Sequence, residues 1–352
     1  MLRLIRKIFR GTIFLVPLFL SFDVYAQCKD VKKYYTGIWK AQECLLNNDF
    51  KGAIKFYKKS LLLDQNLFFE TDLINGAFCA SKLNDTAFFS FCKRKFNSFP
   101  LNRKIDIQFP SGKIFNAKDS LELYSSRLDK ILDSLLRIDQ SVRLSKYSNG
   151  KPLYCIDNKA EILHIDSCNY NFLIKNIFLL ENEKLCLYSQ KKMDVLMIHF
   201  LQWGYSGILD SIKHFVLKGN IDNRAYSQWC DGIINNFPLH YGYMYQYDGY
   251  FGTKNAFLIG DYAIYYFNHQ RDKKIATIRR INKNRKNIFL NSSRDHFKSV
   301  AYCYLKLNEY FYYNNYVEVF NFGSLQEDNN QAEENIKNST KQGFRTVVYK
   351  KR

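Results

Sequence analysis

Five side chains in the middle of the chain are candidates for acid–base chemistry. A histidine can exchange protons near neutral pH, and a neighbouring carboxylate can tune its pKa for general acid or base catalysis. His199 is predicted to share a helix face with Leu196 and Trp203, where a hydrogen-bonded core histidine is the structural alternative. The candidate catalytic residues are His199, Asp139, Arg143, Asp166 and Asp231.

One long helix is predicted to carry the first two polar candidates in chain order. Asp119 and Glu122 have the spacing of a capping box, which indicates a helix start. Asp139 and Arg143 are four positions apart and therefore share a face if the helix continues. A surface charge pair, contributing about 0.3–0.5 kcal/mol, is the alternative to a ligand-binding role. The predicted apolar face comprises Leu121, Tyr124, Leu128, Ile131, Leu135 and Ile138.

Motifs for nucleophilic, phosphate-binding or metal-dependent chemistry are absent from the sequence. The chain has no C-x-x-C and no H-E-x-x-H, and it has neither a nucleophile elbow nor a phosphate loop. We therefore predict no metal site and no cofactor.

The stretch from Ala41 to Asp64 predicts two short helices joined by a polar turn. Small and apolar residues recur every three or four positions on both sides of Asn47-Asn48-Asp49, which is a cluster of turn formers. Neither helix can bury its apolar face alone, so the two should pack as a helical hairpin.

This hairpin resembles the tetratricopeptide repeat. The matching positions are Ala41 in the first helix, the pair Asp49-Phe50, and Ala53, Tyr57 and Ser60 in the second helix. Asn48, Gln65 and Cys44 depart from the family's turn glycine, terminal proline and first-helix tyrosine. A second copy places Gly76 on Ala41, Cys79 on Cys44 and Phe91 on Phe56, so that the resemblance covers residues 34–96.

The resemblance implies that the hairpins bind a protein or peptide partner, with Ala53 and Tyr57 among the binding residues. The structural alternative is a hairpin that only packs on its neighbour. At least three repeats are usually needed for a stable stack, and only two are visible here.

A second resemblance, to a family of exported bacterial proteins with a domain of unassigned function, covers about residues 121–285. The matching positions are Asp139, Gln140, Arg143, Asp166, Asn169, His199, Ala225, Asp231, Tyr241 and Gly242. Gly232 stands where the family has arginine, and Tyr243-Met244 stands where it has Thr-Gln, so a site that needs those residues would be altered here.

Three further residues are candidates for binding. Gln140 belongs to the family pattern, and His240 and Tyr241 lie in a predicted turn, where exposed polar groups often carry function. A tight connection between two elements is the alternative for that turn.

The first 26 residues are typical of a signal peptide. Basic residues precede the apolar run Gly11–Phe22, which is too short to span a bilayer, and small residues at positions 24 and 26 predict cleavage before Gln27. An uncleaved anchor is the alternative. We predict an exported protein that is periplasmic, outer-membrane-associated or extracellular, without a transmembrane helix in the mature chain.

The formal net charge of +19 favours an anionic surface as a possible partner. The lysines are scattered, and the abundance of Lys, Asn, Ile, Phe and Tyr is typical of an AT-rich genome, so nucleic acid is an unfavoured partner. A basic cluster is predicted either to form a solvated helix face or to bind an anionic polymer. It comprises Arg279, Arg280, Lys283, Arg285 and Lys286.

Nine cysteines are an odd number, so an exported form would keep at least one thiol outside internal disulfides. Cys155 and Cys168 flank a possible hairpin and are the one candidate pair.

The predicted fold class is mainly α: an N-terminal αα-hairpin repeat module plus a helical domain with minor β-hairpins. The predicted divisions are a signal peptide at 1–26, a tetratricopeptide-like module at 27–98, a linker with a short hairpin at 99–118, a mainly α domain at 119–322, and a polar tail with a possible edge strand at 323–352.

Two functions are compatible with this sequence. A non-enzymatic binding or scaffold protein of the bacterial cell envelope is favoured, because catalytic motifs are absent. The alternative is a hydrolase-like envelope enzyme that uses His199 with Asp139, Asp166 or Asp231. One open pocket lined by His199 and two of these carboxylates within hydrogen-bond reach would favour the enzyme, whereas a His199 enclosed by Leu196 and Trp203 would count against it.

Overall fold

The computed structural model describes residues 29–63, 67–98, 105–109, 111–117, 127–144, 147–148, 151–152, 159–181, 183–231, 233–234, 237–238, 256–259, 262–267, 278–292, 295, 298, 323–325 and 345–350. These residues are mainly helical, which confirms the predicted fold class. Among them, no helix is both long and apolar enough to cross a membrane. The predicted signal peptide, the turn at His240 and Tyr241, and Cys155 lie outside the described residues.

Two helical hairpins begin the described chain. They consist of α1 (29–46), α2 (Phe50–Leu61), α3 (Glu70–Lys82) and α4 (Thr86–Phe96). The two helices predicted around the Asn47-Asn48-Asp49 turn are confirmed. Asp49 caps α2 by accepting a hydrogen bond from the Gly52 amide at 2.8 Å, and Asp85 caps α4 in the same way from Phe88 at 3.0 Å.

The two turns have the same backbone conformation. Asn48 has a φ of 60° and Asn84 a φ of 55°, in the left-handed region that asparagine tolerates better than most residues. Within the turns, the Asp49 amide donates to Cys44 and the Asp85 amide donates to Ala80. The hydrogen bonds therefore make Ala80 the structural equivalent of Cys44. The sequence comparison, which places Cys79 on Cys44, is one residue out of register.

Close packing within the first hairpin depends on two small residues. A Cβ atom built on Gly37 of α1 would lie 1.9 Å from Ser60 Oγ of α2. Ala53 and Tyr57 are fully buried beside this contact. The close approach of α1 to α2 therefore depends on the absence of a side chain at position 37 while Ser60 keeps this rotamer.

A short β-hairpin packs on these helices. Strands β1 (Ile105–Gln108) and β2 (Ile114–Ala117) pair antiparallel, which confirms the predicted hairpin. Phe109 and Phe115 are buried, and their rings contact phenylalanines of α3 and α4. The segment that we predicted as part of a linker thus contributes to the first hydrophobic core.

A second hydrophobic core lies among the next helices. They are α5 (Arg127–Leu144), α6 (Lys159–Asn176) with a 3₁₀ turn at Ile177–Glu181, α7 (Leu187–Gln202), α8 (Gly207–Lys218) and α9 (Asn223–Asp231). Gly204 and Gly219 end α7 and α8 with positive φ, a conformation that glycine adopts without steric cost. Asp222 caps α9 by accepting a hydrogen bond from the Arg224 amide at 2.9 Å.

The apolar face predicted for α5 is partly confirmed. Leu128 and Leu135 are buried, and Leu132, which we did not assign to this face, is also buried. Ile138 is 44% exposed, so its prediction as a core residue was wrong. The reason is that the buried stripe continues through Asp139, a polar residue that the periodicity of apolar residues does not reveal.

The remaining described elements are strands and one helix. β7 (Ala256–Ile259), β8 (Tyr262–Phe267), β9 (Gly323–Leu325) and β10 (Arg345–Lys350) form a sheet in the order β10-β8-β7-β9. The predicted C-terminal edge strand is confirmed by β10, whereas β9 is a further strand within the stretch that we predict as a polar tail. Two-residue strand pairs join β3 (Tyr147–Ser148) to β4 (Lys151–Pro152) and β5 (Ile233–Ile234) to β6 (Phe237–Pro238).

Helix α10 (Ile278–Asn287) carries the predicted basic cluster. Arg285 is 1% exposed and donates through Nε and Nη2 to Asn291. Arg285 therefore has a structural role and does not contribute to the solvated basic face that the sequence predicts.

Candidate active site

The candidate catalytic residues lie where α5, α6 and α7 meet. Helices α5 and α7 run parallel, because Asp129 pairs with Lys192 near their N-terminal ends and Asp139 pairs with His199 near their C-terminal ends. Helix α6 runs antiparallel to α5, because Asp166 lies beside Arg143 and Asn169 lies beside Leu135. Three helices thus bring together residues that are far apart in the sequence.

Asp139 and His199 form a hydrogen-bonded dyad. Asp139 Oδ1 lies 2.8 Å from His199 Nδ1. The carboxyl group is fully buried, whereas the imidazole is 15% exposed. An ionised carboxylate can only accept hydrogen bonds, so neutral His199 carries its proton on Nδ1 and keeps an unprotonated Nε2. Nε2 makes no hydrogen bond to any described residue.

Arg143 is held between two buried carboxylates. Its Nη2 donates to both oxygens of Asp166, at 2.9 and 2.7 Å, and its Nη1 lies 3.3 Å from Asp139 Oδ1. The Nη1 contact is an ion pair without hydrogen-bond geometry, and Nη1 is a buried nitrogen without a hydrogen-bond partner in the described residues. The arginine side chain as a whole is 17% exposed.

Trp203 and Gln140 each donate one further hydrogen bond to a carboxylate of the site. Trp203 Nε1 donates to Asp166 Oδ2 at 2.5 Å, and Gln140 Nε2 donates to Asp139 Oδ2 at 2.7 Å. The site therefore combines two fully buried carboxylates with the partly exposed side chains of His199 and Arg143.

The ends of two helices favour positive charge at this surface. Arg143 lies in the last turn of α5 and His199 in the last turn of α7. The C-terminal end of a helix carries a partial negative charge, which stabilises a nearby cation. This field supports both the guanidinium and the imidazolium that forms when His199 accepts a proton.

The two carboxyl groups have pKa values shifted in opposite directions. Burial raises the pKa of Asp139, but the hydrogen bond and positive charge of His199, with the charge of Arg143, outweigh burial and lower it below its usual range. Burial also raises the pKa of Asp166, and there it outweighs the hydrogen bond and charge of Arg143. Opposite shifts in one site are typical of acid–base assignments in enzymes. Asp139 is therefore the carboxylate that remains ionised beneath His199.

Asp139, Asp166 and His199 could also ligate a metal ion. One ligand atom from each residue lies within 4.8 Å of the other two, and carboxylate with imidazole is a common set for divalent ions. The sequence spacing does not reveal this group, because its members come from three helices. Arg143 already contacts both carboxylates, so a bound cation would lie against a permanent positive charge.

The other predicted site residues have different locations. Asp231 is the last residue of α9, and its side chain lies outside the described part of the structure. Asn169 of the family pattern is buried on α6, with its amide 3.4 Å from the Leu135 carbonyl. Ala53 and Tyr57 are fully enclosed within the first hairpin. A partner could not contact these two residues, so their prediction as binding residues is not supported by their position.

A second buried polar network was not predicted from the sequence. Arg224 of α9 donates two hydrogen bonds to Asp72 of α3 at 2.9 and 3.0 Å and also binds Asp222. Tyr34 of α1 donates to Asp72 at 2.7 Å, and the Asn223 amide donates to the Tyr35 hydroxyl at 3.1 Å. The surface shared by α1 and α3, the first helices of the two hairpins, is thus occupied by the start of α9.

The fold and the site define a mainly α protein with an Asp–His dyad beside an Arg–Asp pair. No protein-family model, curated protein or solved structure matches the chain. The resemblances to the tetratricopeptide repeat and to the exported bacterial family therefore stay predictions.

Proposed function

We propose that the chain is a hydrolase-like enzyme of the bacterial cell envelope in which His199 acts as the general acid–base. The observation that supports this most is the 2.8 Å contact from Asp139 Oδ1 to His199 Nδ1, with Nε2 unengaged by described residues. Asp139 orients the ring, fixes the tautomer and stabilises the imidazolium, which are the roles that a buried carboxylate has beside a catalytic histidine.

The placement of the dyad also favours catalysis over a core role. His199 is partly exposed, and Arg143, also partly exposed, lies beside the same Asp139 oxygen. A histidine that only fills a core would be enclosed by apolar neighbours. Of the two carboxylates that we required within hydrogen-bond reach of His199, Asp139 meets the condition, whereas an Asp166 oxygen lies within 4.8 Å of the ring without a hydrogen bond to it.

A binding or scaffold protein that works through its helical hairpins is the other proposal. It requires an unoccupied face on the hairpins. The face shared by α1 and α3 contacts Arg224 and Asp222, and every residue of α3 from Glu70 to Ser81 is buried. The enzyme is favoured because the side chains of His199 and Arg143 are partly exposed, whereas the α1–α3 face is already covered and leaves no exposed α3 residue between Glu70 and Ser81 for a partner.

The test of the proposed enzyme is loss of turnover in dyad variants of the mature chain. His199→Gln and Asp139→Asn are compared with His164→Gln, an exposed histidine on α6. We expect His199→Gln to lower kcat by about 10²–10⁴-fold, the usual contribution of general acid–base catalysis. Hydrolysis that is equal in His199→Gln and His164→Gln, with both variants folded, would rule out the proposal.

Export is part of this proposal and rests on the N-terminal pattern of basic and apolar residues. Mass spectrometry of the protein purified from cells tests it directly. We expect a mature N-terminus at Gln27, and recovery of an uncleaved chain in the cytoplasmic fraction would contradict export.

A further inference from the structure

The Arg143 guanidinium has a donor that the described residues do not use. Nη2 is committed to Asp166, whereas Nη1 is buried and makes no hydrogen bond. Buried polar groups are nearly always hydrogen-bonded, and exceptions often have a catalytic or ligand-binding role. An acceptor oxygen placed at Nη1 would also lie close to His199, since both side chains contact Asp139 Oδ1.

The described residues provide no side-chain nucleophile at His199, which leaves water for this role. His199 Nε2 has no hydrogen bond to a serine, threonine or cysteine among the described residues. Asp139 and Asp166 are fully buried and bound to Arg143, so neither carboxylate can reach a substrate as a nucleophile. A pair of available carboxylates, as glycoside hydrolysis usually needs, is therefore missing from this group.

The net charge of the site favours a neutral substrate over a phosphate ester. Asp139, Asp166 and Arg143 together carry one net negative charge when His199 is neutral. Lys159 lies above Trp203, but it is exposed and is screened by solvent. A phosphate ester would add negative charge to this site, whereas an ester or amide carbonyl is neutral when it binds.

From this geometry, and resting on the proposed function, we propose that the substrate is a neutral acyl compound whose carbonyl oxygen accepts a hydrogen bond from Arg143 Nη1. Arg143 is then a catalytic residue that stabilises negative charge on that oxygen, in the manner of an oxyanion hole. Its charge is aimed at the oxygen by Asp166, which holds Nη2 through two contacts.

The reaction balances with water as the only co-reactant. Water attacks the carbonyl carbon, its proton moves to His199 Nε2, and the carbonyl π electrons move to the oxygen beside Arg143. The tetrahedral intermediate then re-forms the carbonyl and expels the alcohol or amine, which takes the proton from His199. A carboxylic acid is released, and no external oxidant or reductant takes part.

The experiment compares four substrates that share a nitrophenyl-type leaving group: p-nitrophenyl acetate, an acyl p-nitroanilide, p-nitrophenyl phosphate and a p-nitrophenyl glycoside. The wild-type mature chain is compared with His199→Gln and Arg143→Lys. Arg137→Lys is the matched control, because Arg137 is exposed on the same helix. Melting curves confirm that each variant is folded, and Arg143→Gln, which keeps an N–H donor without charge, is used if the lysine variant does not fold.

We expect His199-dependent hydrolysis of the ester or the anilide, with kcat lowered about 10²-fold in Arg143→Lys, unchanged KM, and no change in Arg137→Lys. Phenylboronic acid, which forms a tetrahedral anion with water, should lose affinity in Arg143→Lys in parallel with kcat/KM. This parallel loss would not result from a merely structural role of Arg143.

The outcomes separate the two proposals. His199-dependent turnover that is unaffected in Arg143→Lys would overturn the role of Arg143 and leave the acid–base proposal intact. His199-dependent turnover of the phosphate or glycoside alone would overturn the acyl substrate class in the same way. No His199-dependent turnover of any of the four substrates would overturn both.

Discussion

Asp139 Oδ1 lies 2.8 Å from His199 Nδ1, although 60 positions separate the two residues in the sequence. The same two helices also meet through Lys192, which lies 2.9 Å from Asp129 and is 4% exposed. Leucines fill the space between these polar contacts, including Leu132 and Leu196. Two buried polar pairs on one helix interface fix the rotation and the register of α7 against α5, because a slip of one residue would break both. The geometry of the dyad therefore depends on the pair at the opposite end of the helices.

Removal of divalent ions is expected to leave the protein unchanged. Arg143 already pairs with Asp139 and Asp166 and offsets one of their two charges, and a divalent ion at the same carboxylates would be repelled by the guanidinium. After dialysis of the mature chain against EDTA, we expect the same Tm and the same His199-dependent turnover. Metal analysis by plasma mass spectrometry is expected to find less than one bound ion per ten chains.

Zinc and manganese are added back as a control for this experiment. A stoichiometric ion in the purified protein, or a Tm that falls with EDTA and recovers with one ion, would show that Arg143 moves away and that Asp139, Asp166 and His199 ligate the metal.

The boundaries of the helices could be predicted from the sequence more completely than the burial and contacts of the site residues. Turn formers, caps and glycines act locally, so the hairpin turn at Asn48, the end of α7 at Gly204 and the cap at Asp222 could be located from single residues and their neighbours. The apolar periodicity of α5 was informative as far as Leu135. It could not identify Asp139 as a buried residue, because the partner that permits its burial lies on another helix.

The members of the site could be named, but their contacts could not be predicted. Asp139 and Arg143 are neighbours on one helix, whereas Asp166 and His199 reach them only through the packing of α6 and α7. No local pattern identifies the role of Trp203 as a donor to Asp166. The Arg224 network was missed for the same reason, since Asp72 lies on a different helix 152 positions away.

Replacing Arg224 with leucine is expected to destabilise the whole chain. The change would leave Asp72 and Asp222 buried without their shared cation, and breaking a buried ion pair usually costs about 3–5 kcal/mol. Because the network joins α9 to α1 and α3, both hydrophobic cores should lose stability together. Urea unfolding followed by circular dichroism and by tryptophan fluorescence is expected to give one transition with a lower midpoint.

The control for Arg224 is Arg127→Leu, at an exposed position in the first turn of α5. Equal midpoints for the two variants would contradict the structural role of the network. Two separate transitions in Arg224→Leu, where the wild-type protein shows one, would indicate that the hairpins fold independently once the network is removed.

The contact between Gly37 and Ser60 makes the effects of two substitutions interdependent. Gly37→Ala is expected to cost about 1–3 kcal/mol, because its Cβ would lie 1.9 Å from Ser60 Oγ. Ser60→Ala removes a buried hydroxyl without a hydrogen-bond partner, so it should be neutral or slightly stabilising. In the double variant, Gly37→Ala should cost less, because the remaining Cβ of residue 60 lies 3.3 Å away. A double-mutant cycle in urea measures the coupling, and strictly additive effects would contradict the close contact.

Asp194 is expected to make the stability of the protein depend on pH. Burial raises the pKa of Asp194 to about 6, in spite of the hydrogen bond from Trp229 Nε1 at 2.5 Å and the charge of Lys191. Its ordinary value in an unfolded chain is about 4. The folded state therefore holds a proton that the unfolded state has lost between about pH 4 and pH 6, and the free energy of unfolding falls as pH rises through that window.

Asp194→Asn should remove this dependence, since an amide does not titrate and its oxygen can still accept from Trp229. At pH 7 the variant is expected to be more stable than the wild-type protein by up to about 3 kcal/mol, at 1.36 kcal/mol for each pKa unit. At pH 4 the free energies of unfolding of the variant and of the wild-type protein should be nearly equal.

Asp210→Asn, at an exposed position on α8, is the control. The contributions of Asp139 and Asp166 to the pH dependence are common to all three proteins and cancel in the comparison. Urea unfolding at pH 4, 5, 6 and 7 measures the difference, and a stability gain of Asp194→Asn that is the same at every pH would show that Asp194 does not titrate in this range.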